Sequence, residues 1–215
     1  MDIEPTIDGI LHALMIAPTA EDAYNEYAAH DPNNAIRREN FRLYLRHMQA
    51  RQPKTMLVME APGYRGCRLT GVPVTSRKVL LEGVPELDFF GEEKGYHLTH
   101  DPEFENVYGE QSATIVWGTL AQLGHLPLIW NTFPFHPHKA GKPLTNRPPR
   151  APEKALGAHF LEAMLTLFQP KQVIAIGNVA HDTLSKIGLE CAKVRHPAQG
   201  GKNDFVAGLT ELLGN

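Results

Sequence analysis

The stretch Leu57–Ser76, LVMEAPGYRGCRLTGVPVTS, constrains the fold more than any other. It continues an apolar run, Met56–Met59, and breaks at once into Glu60-Ala61-Pro62-Gly63. Gly66, Gly71 and Pro73 follow closely. A short apolar run bounded by turn residues reads as a buried strand. Glycines in the loop beyond it let backbone N–H groups come up against a ligand. Arg65, Arg68, Arg77 and Lys78 make the surroundings cationic. Ligands of open α/β sheets sit where such strands end, so this loop is expected to floor a site.

Three more runs have the same character: Pro127–Thr132, Gln172–Ile176 and Ala192–Val194. Helical segments separate them. Ser112 is expected to cap a helix through Leu123, and Ala151–Phe168 carries Leu156, Phe160, Leu161 and Met164 at helical spacing. Asn178 is expected to cap Val179–Ile187, Ser76 to cap Arg77–Leu81, and Phe205–Leu213 to close the chain. Strands separated by helices give a parallel sheet covered on both faces. The expected fold is therefore α/β, a three-layer αβα sandwich around a short, mainly parallel four-stranded sheet. Residues 1–215 read as a single domain, with 1–50 as a helical N-terminal extension packed on it. In that extension Ile7, Ile10, Leu11 and Leu14 form one apolar face. Asn34 is expected to cap a longer helix whose Arg37, Arg38, Arg42 and Arg46 line a solvated face.

Charge is distributed unevenly behind a formal net charge of −3. Leu81–Glu110 holds nine acids against one base, Lys94; Asn131–Lys202 holds ten bases against four acids. The second region can attract a polyanion despite the acidic total. No run reaches the ~20 apolar residues of a membrane span, and the N-terminus lacks a secretory pattern. A cytoplasmic monomer is expected, associated with the nucleoid when acting on DNA. Cys67 and Cys191 are the only cysteines, too few for a four-cysteine metal site. Cys67 is expected to be a neutral packed thiol. His136 and His138 offer two metal ligands, and a site would need more, for instance His181 or Asp182; no metal is expected.

Parallel strands point their C-terminal ends the same way, so the loops after strands one, two and four converge. Their contents are EAPGYRGCRLTG, NTFPFHPHKAG…NR and HPAQGG. No nucleophile elbow, phosphate loop or dinucleotide glycine motif accompanies them. MEAPGYRGCRLTGVPVTS resembles the first motif of the uracil-DNA glycosylase superfamily, in the version shared by its fourth and fifth families. NTFPFHPHKAGKPLTNRPP resembles the segment that opens on the uracil-reading asparagine, and HPAQGG resembles the histidine-proline motif. The resemblance spans about residues 55–205, in matching order.

That resemblance implies a DNA glycosylase acting on single- or double-stranded DNA, removing a deaminated base, most readily uracil. A base is unreachable inside a duplex and must be flipped into a pocket. By resemblance Asn131 reads uracil O4 and N3, since an amide carries both a donor and an acceptor. By resemblance His196 donates to O2, where negative charge develops. Glu60, Ala61, Pro62, Gly63, Tyr64, Val74 and Phe133 are expected around the base, with Tyr64 placed to exclude thymine. Arg68, Lys139, Arg147, Arg195, Gly200, Gly201 and Lys202 are expected along the DNA backbone.

Two positions depart from the family pattern. Ala61 stands where the best-known members carry an aspartate, so the water-activating group is unassigned and Glu60 is the nearest carboxylate. Val74 stands where a phenylalanine often stacks on uracil, leaving Tyr64, Phe133 or Phe89 to do so. The iron–sulfur cysteines of many relatives are missing, so no cofactor is expected. A binding module without hydrolysis and a small-molecule nucleoside hydrolase remain alternatives.

Overall fold

The computed structural model describes residues 6–214. Ile7–Ile16 forms α1, capped by the Thr6 hydroxyl, which accepts from Gly9 N at 3.0 Å. Its apolar face, Ile10, Leu11 and Leu14, packs towards α2, Asn33–Arg51. Strand β1, Ala23–Tyr24, lies between them. Asn34 does not cap α2: it lies inside the helix and is fully buried. Its amide donates to Asn25 O and Ala28 O, closing the preceding loop. Nor is Arg37 solvated. It is 1% exposed, and its guanidinium pairs with Asp101 at 2.6 Å. The acidic segment folds over this face of α2, and helical periodicity cannot reveal a partner so distant in the chain.

The central sheet follows. Thr55–Met59 forms β2, Leu128–Asn131 β3, Gln172–Ile176 β5 and Ala192–Val194 β6. All four run parallel in the order β3-β2-β5-β6. Every residue of β2 and β3 is buried, so both faces of these strands are covered. The covering helices are α3 (Cys67–Thr70), α4 (Arg77–Glu82), α5 (Gln111–Leu123), α6 (Ala151–Phe168), α7 (Asn178–Lys186) and α8 (Lys202–Leu213). The result is the αβα sandwich.

Ser76 caps α4 by accepting from Val79 N. At α5 the cap is Glu110, two residues earlier than the expected Ser112, and Asn178 is the first residue of α7 rather than its cap. Between α4 and α5 the acidic segment forms single turns of 3-10 helix, Pro85–Leu87, Glu92–Lys94 and Pro102–Phe104, and one isolated bridge between Val84 and Phe89. A feature absent from the sequence reading is a two-stranded antiparallel ribbon, β1 with β4 (His136–Pro137). It ties the N-terminal segment to the loop after β3.

The strand order locates the site. The chain runs from β2 to β3 on one side, then crosses to β5 and β6 on the other. The reversal falls between β2 and β5, and a crevice opens outside the carboxyl ends of strands at such a point.

Candidate active site

A cavity of about 680 Å³ lies at that carboxyl edge. Its wall combines Met59–Gly63 beyond β2, Glu110–Ser112 at the start of α5 and Gly177–Asn178 beyond β5. Lys193–His196 at and beyond the end of β6 and Asn146–Pro148 also line it. Loops separated by more than a hundred residues therefore meet in one place.

His196 is the best-defined group on this wall. Its Nδ1 accepts the Ala198 N–H at 3.1 Å. A neutral imidazole with Nδ1 so engaged carries its proton on Nε2. Burial holds its pKa below the ordinary 6.5, opposed by the nearby charge of Glu110. Near neutral pH the ring is a neutral Nε2–H donor. The backbone fixes its aim. A Cβ on Gly201 would fall 2.1 Å from His196 O, and one on Gly177 would fall 3.3 Å from His196 Cβ. Gly201 thus serves the tight coil of its own loop; Gly200, exposed and at φ +79°, has open space around it.

Two carboxylates share the cavity. Glu60 is half-buried, and burial raises its pKa above the ordinary 4.5 while Lys154 opposes this. Its backbone oxygen accepts from the Thr132 hydroxyl at 2.7 Å and from Phe133 N at 3.2 Å, joining the β2 and β3 loops. Glu110 was missed in the sequence because it lies in an irregular, uniformly acidic segment. Its Oε2 accepts from Ala113 N at 2.7 Å and caps α5. Its signal is its place directly ahead of the helical pattern that begins at Gln111.

Val74 is on the wall with φ +51°, a left-handed conformation that is unfavourable for a β-branched residue. The Trp117 indole N–H donates to Val74 O at 2.7 Å and holds it there. Trp117 is itself wedged between Phe89 and Phe90, so neither phenylalanine is free to reach the cavity.

Other expected residues lie elsewhere. Asn131 ends β3 directly beside Met59 and is 2% exposed, but it is not on the cavity wall. Its side-chain amide has no hydrogen-bond partner among the described residues. Phe133 is 1% exposed and packs edge-on against Phe135 in the core, so it does not stack in the cavity. Tyr64 also leaves the wall, turning its ring towards Phe104 and Arg65. Arg68 is not offered to a backbone phosphate: its guanidinium lies 5.0 Å over the Tyr24 ring, with Nε and Nη1 buried. Lys139 and Lys202 are exposed off the wall. Arg195 lines the wall and is exposed, 3.4 Å from Asp204.

Arg147 is spent on structure. It holds both Glu153 oxygens, at 2.6 and 2.7 Å, together with Asp22 and His138 O. Arg147→Ala should lower stability in urea by about 2 kcal/mol through lost charge-assisted bonds. It should leave the salt slope of DNA binding unchanged, whereas loss of a phosphate contact lowers that slope by about 0.9. His136 is likewise structural. Its Nδ1 lies 2.9 Å from Pro62 O and its Nε2 3.1 Å from Pro143 O; burial lowers its pKa to about 4, so the neutral ring donates to one of the two carbonyls at a time and packs between their loops. Cys67 is fully buried beside Glu26, and burial pushes its thiol pKa well up.

The family model described as Uracil DNA glycosylase superfamily matches residues 46–208. The crystal structure of wild-type SMUG2 from Pedobacter heparinus superposes with a TM-score of 0.58 at 15% identity. That match covers 96% of this chain and 97% of the other. No curated protein sequence matches.

Proposed function

Since this chain belongs to the uracil DNA glycosylase superfamily, we propose that it removes a deaminated base, uracil foremost, from DNA by hydrolysis. The observation that carries the reading is the neutral His196, whose Nδ1 is occupied and whose Nε2–H remains to donate within the cavity. The nucleotide leaves the stack and enters the cavity. As the N-glycosidic bond breaks, electrons move onto uracil and positive charge onto the sugar. The His196 donor strengthens as O2 becomes anionic, which binds the transition state better than the substrate. Glu60 and Glu110 place negative charge opposite the cationic sugar, as carboxylates do in glycoside hydrolysis. Water adds to C1′ and its released proton neutralises the departing uracilate. Free uracil and an abasic site result.

Asn131 is assigned to read the base edge from beneath the wall, past Glu60. An unpartnered amide at 2% exposure is suited to this: it can bind O4 and N3 without first breaking a protein contact. Arg195 and the exposed Lys139 and Lys202 are assigned to phosphate. The chain acts alone, without cofactor.

A labelled oligonucleotide holding one uracil tests this. The expected result is free uracil and an alkali-labile site, with no strand cleavage before alkali because no amine nucleophile is placed for lyase chemistry. Tight binding with no uracil released, even with protein in excess, would instead identify a binding module. Cleavage of free deoxyuridine as fast as uracil in DNA would identify a nucleoside hydrolase.

A further inference from the structure

Large apolar side chains are exposed at few places among the described residues: Ile16, Val107, Tyr108 and Leu144. Val107 and Tyr108, 46% and 45% exposed, are adjacent, and Glu110 on the cavity wall follows two residues later. Tyr108 is not a stray surface ring. It ends a column that rises from the core: Phe104 is buried, and the Tyr64 ring is 6.3 Å from it. The Arg65 guanidinium lies 5.4 Å from the Tyr64 ring and 5.8 Å from the Tyr108 ring. Tyr64 and Arg65 fall between Gly63 and Gly66, which both line the cavity. Three contacts fix the column in place. Asn146 Oδ1 accepts from Tyr64 N at 3.1 Å, Tyr108 O accepts from Lys78 N at 3.4 Å, and Asn106 donates to the Tyr108 hydroxyl at 3.0 Å.

The turn on the wall beyond β6 has nothing comparable. The turn after His196 offers Ala198, Gln199 and Gly200 but no bulky ring or aliphatic chain. A base that leaves a stack exposes the π-faces of its neighbours, and an aromatic face or guanidinium plane can cover them.

We propose that the Tyr64–Arg65–Tyr108 column is a stacking shelf for a nucleobase of single-stranded DNA next to the flipped nucleotide. It rests on the glycosylase reading for its place beside the cavity. Its chemistry, π-face on π-face with a cation between, is independent of the base's identity, so it grips any neighbouring base. The cation also faces a polyanion, which a purely apolar wedge would not provide.

The test uses single-stranded oligonucleotides with 2-aminopurine one position from either thymine or uracil. On the thymine strand, binding should quench 2-aminopurine fluorescence. Tyr108→Ala should remove the quench and weaken binding roughly 5- to 150-fold, the range for loss of one base–aromatic stack. Tyr108→Phe should keep both, whereas Tyr108→Leu, equally apolar, should lose the quench. Uracil release from the second strand is read separately. Release with a quench that Tyr108→Ala leaves intact overturns the shelf alone. A Tyr108-dependent quench without release overturns the glycosylase reading and leaves the shelf standing. Absence of both binding and release overturns the two together.

Discussion

His196→Ala should slow single-turnover release of uracil by about 10²- to 10³-fold, the usual cost of deleting a donor to a developing oxyanion. Binding of the oligonucleotide should change little, because the donor matters most after charge has built up. His196→Gln should recover part of the loss only if its amide reaches the same point. The pH dependence has a definite sign. On the proposed mechanism the ring acts when neutral, and burial holds its pKa below 6.5. Protonation places a second hydrogen on Nδ1, where it meets the Ala198 N–H. On the same proposed mechanism Glu60 acts ionised, and burial holds its pKa above 4.5. Both groups therefore lose their active form on acidification, and activity should fall between about pH 6.5 and 4.5. The same protonation weakens folding. A buried histidine with a depressed pKa binds fewer protons folded than unfolded, so stability contributed by its neutral form is lost as pH falls below 6.5. Activity that stays flat through this range, or a His196→Ala variant with normal turnover, would falsify the assignment.

The same physics explains what the sequence disclosed and what it hid. Strands β5 and β6 were legible to the residue because short apolar runs ended in Gly177 and Arg195-His196-Pro197. Strands of two residues carry no periodicity, so the β1–β4 ribbon was invisible. Arg37 looked solvated on a helical wheel because its partner Asp101 lies 64 positions away. Motif resemblance delivered Glu60 and His196 to the cavity, since both belong to strand-end loops whose direction the sheet dictates. It could not say that Tyr64 and Phe133 turn off the wall, because side-chain direction in a loop depends on what packs behind it. Glu110 needed the three-dimensional fold, as nothing local separates it from eight other acids in the same segment.

One overlooked residue left a local trace, and replacing it should have the second large effect. Gly157 sits in the middle of α6, where glycine costs about 1 kcal/mol relative to alanine. Alanine would ordinarily stabilise such a helix. Here its Cβ would fall 1.8 Å from Thr132 O, 2.8 Å from Thr132 C and 3.0 Å from Phe133 Cα. These are backbone atoms, so no rotamer change relieves the overlap. Gly157→Ala should therefore lower stability by about 1–3 kcal/mol despite its better propensity, shifting Tm down by roughly 3–10 °C. Activity should suffer more than stability. Thr132 follows Asn131, and it is fastened to Met59 O at 2.8 Å and to Glu60 O at 2.7 Å. A displaced Thr132 carries the Asn131 amide and the Glu60 loop with it, and an ångström of misplacement at a reacting centre costs about 10²-fold. Asn131→Ala provides the contrast. Its amide has no partner to lose, so Tm should barely move while uracil release falls by a similar factor. Assays run well below the Tm of Gly157→Ala separate misplacement from unfolding. If that variant, fully folded, releases uracil at the wild-type rate, α6 does not position Asn131.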